Sequence, residues 1–138
     1  SDVIGGMKKV QSQSTSNASS ISQAAAIAAL NGSKDEIYSM VEQYKLRHDY
    51  LCSALNDIDG FKTTPGTGAF YLFPDVMNVI EKKGFSDDVE LSQYLIEKAN
   101  VAVVPGSAFG SPGYIRLSYA TSLELIKEAV KRISNSLV

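Results

Sequence analysis

The chain has 138 residues, 44% of them hydrophobic and 20% charged, which is enough apolar material for one compact domain, or one domain with part of another. A net charge of −2 creates no long-range pull toward nucleic acid or an anionic membrane, and the single cysteine, Cys52, excludes an internal disulfide and suits a reducing compartment. No apolar run approaches the ~20 residues needed to span a bilayer.

The chain opens at Ser1 without a methionine, which leads us to expect a piece of a longer protein. Gly5-Gly6 predicts that no long element forms across residues 1–10. Residues 11–20, QSQSTSNASS, are polar and of low complexity, and composition alone reads them as a flexible tail. Residues 20–30, SISQAAAIAAL, read as a helix that Ser19 or Ser20 can cap and Asn31-Gly32 ends. Its alanine face lets a neighbour approach closely, and alone it would be marginal. Lys34 to Asn56 is the longest predicted helix, opened by a Ser33-x-x-Glu36 capping box. Ile37, Val41, Tyr44, His48, Leu51 and Leu55 recur on one face. His48, the one histidine, lies on that stripe. A lone histidine, with only Cys52 a turn away, is too few ligands for a metal site, so His48 reads as structural and Cys52 as a small core filler.

Asn56 to Gly60 is a turn, Phe61 to Thr64 a short strand, Pro65 to Gly68 a loop, and Ala69 to Phe73 a buried strand that Pro74 ends. Gly66 and Gly68 lack the spacing of a dinucleotide fingerprint and are expected to let the loop pass close to another backbone. Asp75 to Lys83 reads as a short helix stopped by Gly84. The next helix starts at Ser86 or Asp87 and reaches Asn100, with Leu91, Tyr94, Leu95 and Ala99 inward. Asp87, Asp88 and Glu90 crowd its first turn. A carboxylate-pair or cation site is conceivable there, but acidic first turns are ordinary capping chemistry, which is the reading adopted. A last helix, Ser122 to Leu137, has a Thr121-x-x-Glu124 capping box and a buried stripe of Ile126, Ala129, Val130, Ile133 and Leu137. Glu128 can pair with Lys131 or Arg132. Because Glu124 and Glu128 interleave Lys127, Lys131 and Arg132, no basic nucleic-acid face results.

Between these helices lies VAVVPGSAFGSPGYIRLSYA, residues 101–120. It reads as a strand stopped by Pro105-Gly106, a glycine-rich loop, and a second strand from Tyr114 to Tyr119. Ile115, Leu117 and Tyr119 face one way; Tyr114, Arg116 and Ser118 face the other. Arg116 is a permanent cation in an otherwise apolar strand. It could be an edge-strand arginine, solvated or paired with a nearby glutamate. It could instead use its planar fork of donors to grip a carboxylate through two parallel bonds.

Four separated motifs, QSQSTSN, GAFYLFPDV, VVPGSAFG and YIRLSYATS, resemble in order the C-terminal end of the class I, fold-type I pyridoxal-phosphate-dependent aminotransferases, in particular the bacterial aspartate aminotransferase branch. The resemblance implies an α/β (α+β) fold, a two-layer sandwich of a small mixed sheet of about four strands with helices packed on it. It implies that residues 1–31 are a remnant of the large cofactor-binding domain and its interface arm, and 32–138 the C-terminal small domain. Arg116 then binds the α-carboxylate of the amino-acid substrate, and Phe109, in the Pro105–Gly113 loop, forms one wall. Gln13, Ser14, Thr15, Ser16 and Asn17 lie at a dimer interface and reach the neighbouring subunit's active site, although Asn17-Ala18 replaces the Asn-Pro common in relatives. The intact enzyme, a cytoplasmic homodimer, would use pyridoxal 5′-phosphate to move an amino group between L-aspartate and 2-oxoglutarate. The family's cofactor lysine sits in a segment resembling S-K-x-x-x-x-x-G-x-R, upstream of this region; Lys8, Lys9 and Lys34 do not match it. The chain alone is therefore expected to bind no cofactor and to be inactive. Two other readings remain open on the residues alone: a free-standing module that holds a carboxylate ligand, and an oligomerising module.

Overall fold

The computed structural model describes all 138 residues, Ser1–Val138. They divide into two compact units, Ser1–Ile37 and Tyr38–Val138. No helix is long and apolar enough to cross a membrane.

The first unit holds α1 (Asp2–Ser14) and α2 (Ser20–Asn31). α1 runs through Gly5-Gly6 and on through Gln11–Ser14, so neither the expected break nor a wholly flexible polar tail is observed. Within residues 11–20, only Thr15–Ser19 lies outside a helix. Val3, Ile4, Met7 and Val10 recur at three- and four-residue steps compatible with a helix, although exposed here, and each intervening glycine costs a helix only ~1 kcal/mol and so does not forbid it. The hydroxyls of Ser12 and Ser14 donate back to the carbonyls of Lys9 and Val10, at 2.9 and 2.8 Å, and so sit within the helix instead of breaking it. Neither helix buries a residue: Val3, Met7, Val10, Ile21 and Leu30 are all exposed. At the start of α2 no serine side chain caps the helix. The Gln23 side-chain amide donates to the Ala18 carbonyl at 2.8 Å instead.

α3 (Asp35–Asn56) is capped by Ser33, but its partner is Asp35: the Ser33 hydroxyl accepts the Asp35 N–H at 3.2 Å and donates to the Asp35 carboxylate at 2.7 Å. The expected stripe is half realised. Ile37 and Val41 are exposed, Tyr44 and His48 half-buried, and Leu51, Cys52 and Leu55 buried, because the second unit's core meets only the C-terminal half of the helix.

That core gathers Leu51 and Leu55 from α3, Leu72, Ile115 and Leu117 from the sheet, Leu91 and Leu95 from the segment after Asp87, and Ile126, Val130 and Ile133 from the last helix. Fully burying each of these side chains contributes roughly 1.5–3 kcal/mol. The sheet has three strands, β1 (Tyr71–Leu72), β2 (Val104–Pro105) and β3 (Ile115–Ser118), in the order β1-β3-β2. The α/β class holds, but both pairings are antiparallel and the strands are fewer and shorter than expected. Phe61–Thr64 contributes only a bridge between Lys62 and Asp75. Pro105 belongs to β2, and the turn follows it at Gly106. Register sets Tyr71 opposite Ser118, Leu72 opposite Leu117 and Val104 opposite Arg116.

Around the sheet pack α4 (Met77–Lys83), α5 (Asp88–Tyr94) and α6 (Leu123–Ser136). Gly84 ends α4 in the left-handed conformation, φ 75°, as its sequence position implies. α5 widens into a π turn over Leu95–Ala99 before Asn100 stops it at φ 52°. The cap of α6 is Ser122, which accepts the Leu125 N–H at 3.3 Å, in place of the expected Thr121. Ile126, Val130, Ile133 and Leu137 face inward as their spacing requires.

Candidate carboxylate site on the open face of the sheet

β3 alternates cleanly. Ile115, Leu117 and Tyr119 enter the core, and Tyr114, Arg116 and Ser118 stand on the other face. β1 shares the alternation, with Leu72 and Pro74 inward and Tyr71 and Phe73 on Arg116's side. The strand bearing Arg116 is the central one, so the edge-strand reading of this arginine does not describe it.

The open face is aromatic. The Arg116 guanidinium carbon lies 4.6 Å from the centroid of Phe109 and 5.2 Å from that of Tyr71. Phe73 stacks on Tyr114 with centroids 5.3 Å apart and meets Phe109 edge-on at 6.1 Å. Each cation–ring contact contributes ~0.5–2 kcal/mol, depending on how much water is excluded. Neither the chain's three Lys/Arg–carboxylate ion pairs nor the His48–Asp49 contact involves Arg116. The guanidinium is thus held by ring faces, which leave its in-plane N–H groups free for a planar anion. A carboxylate fits such a fork with two charge-assisted bonds.

Phe109 reaches this position through a tightly closed loop. After β2 the chain makes a short 3₁₀ turn, Gly106–Phe109, and passes Gly110 at φ 74°. Gly106 has no room for a side chain: a Cβ there would lie 2.3 Å from the Ser111 carbonyl oxygen and 2.7 Å from Tyr114. Its N–H donates to the Tyr114 carbonyl at 2.7 Å, and its carbonyl accepts the Ser111 N–H at 3.0 Å. Asp88 braces the same loop. Its side chain is only 1% exposed, and it accepts the Ser107 N–H at 2.8 Å and the Gly113 N–H at 3.2 Å. Burial pushes this carboxyl up, but those two N–H groups and the Ser107 hydroxyl outweigh it and hold it below the usual carboxylate range.

The structure therefore brings Arg116 and Phe109 together and adds Tyr71 and Asp88, which sequence reasoning missed. A signal existed for each. Tyr71 is two residues before Phe73 on a strand that was read as buried on both faces, yet Phe70 and Tyr71 are exposed. Asp88 is three residues before Leu91 and seven before Leu95, on the buried stripe of its helix. The capping reading holds for Asp87, whose carboxylate accepts the Glu90 N–H at 2.8 Å, and it fails for Asp88. Gln13 and Ser14 form the last turn of α1, and Thr15, Ser16 and Asn17 follow it; all five side chains are exposed.

His48 is structural in this chain. Its Nε2 accepts the Gly66 N–H at 3.1 Å and its Nδ1 meets the Asp49 carboxylate at 2.9 Å, beside the Tyr119 ring. It lines a cavity of about 420 Å³ with Tyr44, Thr67 and Tyr119. Gly66 and Gly68 make no close backbone approach: nothing lies within 4 Å of a Cβ at Gly68, and at Gly66 the nearest atom is 3.7 Å away. The positive φ in this segment belongs to Ala69, at 64°, whose carbonyl accepts the Tyr119 hydroxyl at 3.0 Å. No cluster of three or more His, Cys, Asp or Glu side chains could hold a metal ion.

Comparison with known proteins gives a consistent result. The family described as aminotransferase class I and II matches residues 1–133. An aspartate/prephenate aminotransferase of Nitrosomonas europaea is 47% identical over 141 residues, covering 98% of this chain and 36% of the relative. An aspartate aminotransferase of Bacillus sp. strain YM-2 is 47% identical over 132 residues, covering 96% and 34%. Among solved structures, the aspartate aminotransferase of Rhizobium meliloti superposes with a TM-score of 0.85 at 41% identity, covering 99% of this chain and 35% of that one. That of Thermus thermophilus with maleate gives 0.83 at 36% identity, covering 98% and 34%. The chain thus spans about a third of the length of these relatives.

Proposed function

The chain belongs to the class I and II aminotransferases, and from that premise we propose that it is the C-terminal part of an aspartate-type transaminase whose task is to hold the substrate's α-carboxylate. The observation that carries this reading is the Arg116 guanidinium, clasped between Phe109 and Tyr71 and bound to no acid of its own chain. A grip of this kind fixes the amino acid's orientation before any bond at its α-carbon changes. The Phe109 and Tyr71 rings shield part of the half-buried guanidinium from water and so strengthen its hold on an anion. The reading is further supported by the relatives' names and by the dicarboxylate maleate in the Thermus thermophilus structure. On this basis the intact protein transfers an amino group between L-aspartate and 2-oxoglutarate.

The cofactor that the family implies, pyridoxal 5′-phosphate, supplies the carbonyl that accepts the amino group. The residues of this chain do not fit a covalent hold on it. All ten lysines stand exposed on the surface, and the one buried carboxylate, Asp88, is committed to backbone N–H groups. We therefore assign the contacts to the cofactor's aldehyde and phosphate to the rest of the intact protein. Residues 1–31 are assigned to its large domain and residues 32–138 to its small domain. Gln13, Ser14, Thr15, Ser16 and Asn17 are assigned to the active site of a second, identical subunit of a cytoplasmic homodimer.

The test is steady-state kinetics of the full-length protein. Arg116→Leu should weaken binding of L-aspartate by ~2–5 kcal/mol, the range for removing one member of a buried charge pair. Kinetics equal to the parent protein's would overturn the assignment.

A further inference from the structure

A buried carboxylate with no cation beside it needs a reason, because an uncompensated buried charge is costly. Asp88 is such a group: it takes part in none of the chain's ion pairs. Helix capping does not explain it, since Asp87 already caps α5. Its two oxygens are divided instead between the two ends of one loop. Oδ2 accepts the Ser107 N–H and Oδ1 accepts the Gly113 N–H. A neutral Asn could accept only one of these bonds and would turn an NH2 group toward the other donor.

We propose that Asp88 is a positioning residue: by tying Ser107 to Gly113 it holds Phe109 over the Arg116 guanidinium and so sets the strength of the grip on the substrate's α-carboxylate. Phe109 lies between the two tied residues and is half exposed, its ring meeting Phe73 edge-on. Beyond that edge contact, its place over Arg116 is inherited from the loop. The loop's own closures, Ser111 N–H to the Gly106 carbonyl and Gly110 N–H to the Ser107 carbonyl, both at 3.0 Å, make it move as one piece. Its far end is joined to the core where the Val76 N–H donates to the Gly113 carbonyl at 2.8 Å. Releasing Asp88's hold frees the segment that carries the ring. A displacement of about 1 Å at a substrate-binding group is enough to change rates by up to ~100-fold.

This inference rests on the reading of Arg116 given above, and the experiment separates the two. In the full-length protein, supplied with pyridoxal 5′-phosphate, L-aspartate kinetics are measured for Asp88→Asn, Phe109→Ala, the double variant, Arg116→Lys and the core variant Ile133→Val. Asp88→Asn should raise KM about tenfold and change kcat less than about threefold, the pattern for loss of binding shared by ground and transition states. On a Phe109→Ala background the same change should add less than about twofold, because the ring it positions is gone. Ile133→Val should lower thermal stability with KM unchanged. A folded Asp88→Asn protein with the parent KM, or full additivity with Phe109→Ala, overturns the inference. If Asp88→Asn does not fold, Phe109→Ala decides: an unchanged KM overturns the inference and a raised one supports it. If Arg116→Lys leaves KM unchanged, the reading of Arg116 itself falls; if it raises KM while Asp88→Asn does not, only the role of Asp88 falls.

Discussion

Gly106→Ala tests how tightly the loop beneath Phe109 is closed. The added methyl would sit 2.3 Å from the Ser111 carbonyl oxygen and 2.7 Å from both the Cβ and the carbonyl oxygen of Tyr114. Two of these three contacts are backbone atoms, so no side chain can swing aside. The loop must shift, which threatens the Gly106 N–H to Tyr114 bond at 2.7 Å and the Ser111 N–H to Gly106 bond at 3.0 Å. At ~0.5–1.5 kcal/mol for each of the two net hydrogen bonds, and with overpacking of ~1–3 kcal/mol, the expected loss is about 2–6 kcal/mol. For a unit of this size that lowers the thermal midpoint by roughly 10 °C or more. The matched control is Gly68→Ala, where no atom lies within 4 Å and φ is not positive. That change should be neutral or should stabilise by up to ~1 kcal/mol, since it narrows the unfolded ensemble. Thermal and urea unfolding followed by circular dichroism read both. Equal midpoints for the two variants would refute the close-packed loop.

Thr63→Val should stabilise the chain by about 1 kcal/mol in urea, because the Thr63 hydroxyl is buried without a hydrogen-bond partner and valine has the same shape. Leu55→Ala should cost ~2–5 kcal/mol in the same assay, as Leu55 is fully buried where α3 enters the core. Asp88's carboxyl is held below its ordinary value by the Ser107 and Gly113 N–H groups despite its burial, so its contribution is complete above the unfolded-state pKa of about 3.9 and is lost as pH falls through the lower folded-state value. Urea midpoints from pH 6 down to about pH 3 should therefore fall less steeply for Asp88→Asn than for the parent chain, and parallel curves would contradict the clasp. Titrating the 138-residue chain with pyridoxal 5′-phosphate should leave the cofactor's near-ultraviolet and violet absorbance as in free solution; a stable new band would mean that one of its lysines does hold the cofactor.

How legible the molecule was in its sequence depended on where each signal lay. The buried stripe of α6 and the alternation of β3 came through because apolar period alone determines them, and both belong to the core. α1 was masked by composition: glycines and serines suggested a break and a tail, but two glycines do not forbid a helix and Ser12 and Ser14 bond back to carbonyls within it. Both expected capping boxes were off by one residue: Ser33 accepts the N–H of Asp35 instead of Glu36, and α6 is capped by Ser122, which accepts from Leu125, instead of Thr121. At the site, Arg116 and Phe109 could be named from their motifs. Tyr71 and Asp88 could not, because their roles depend on strand register and on a loop folding back across an α-helix, neither of which spacing along one segment reveals. The π turn after Tyr94 left no mark in the sequence that we could identify.

The most direct measurement is calorimetric binding of maleate to the full-length protein, parent against Arg116→Leu, with thermal unfolding to verify that both are folded. If the guanidinium between Phe109 and Tyr71 is the carboxylate grip, the variant should bind at least about 30-fold more weakly, the equivalent of ~2 kcal/mol. Equal affinity in two equally folded proteins would contradict it.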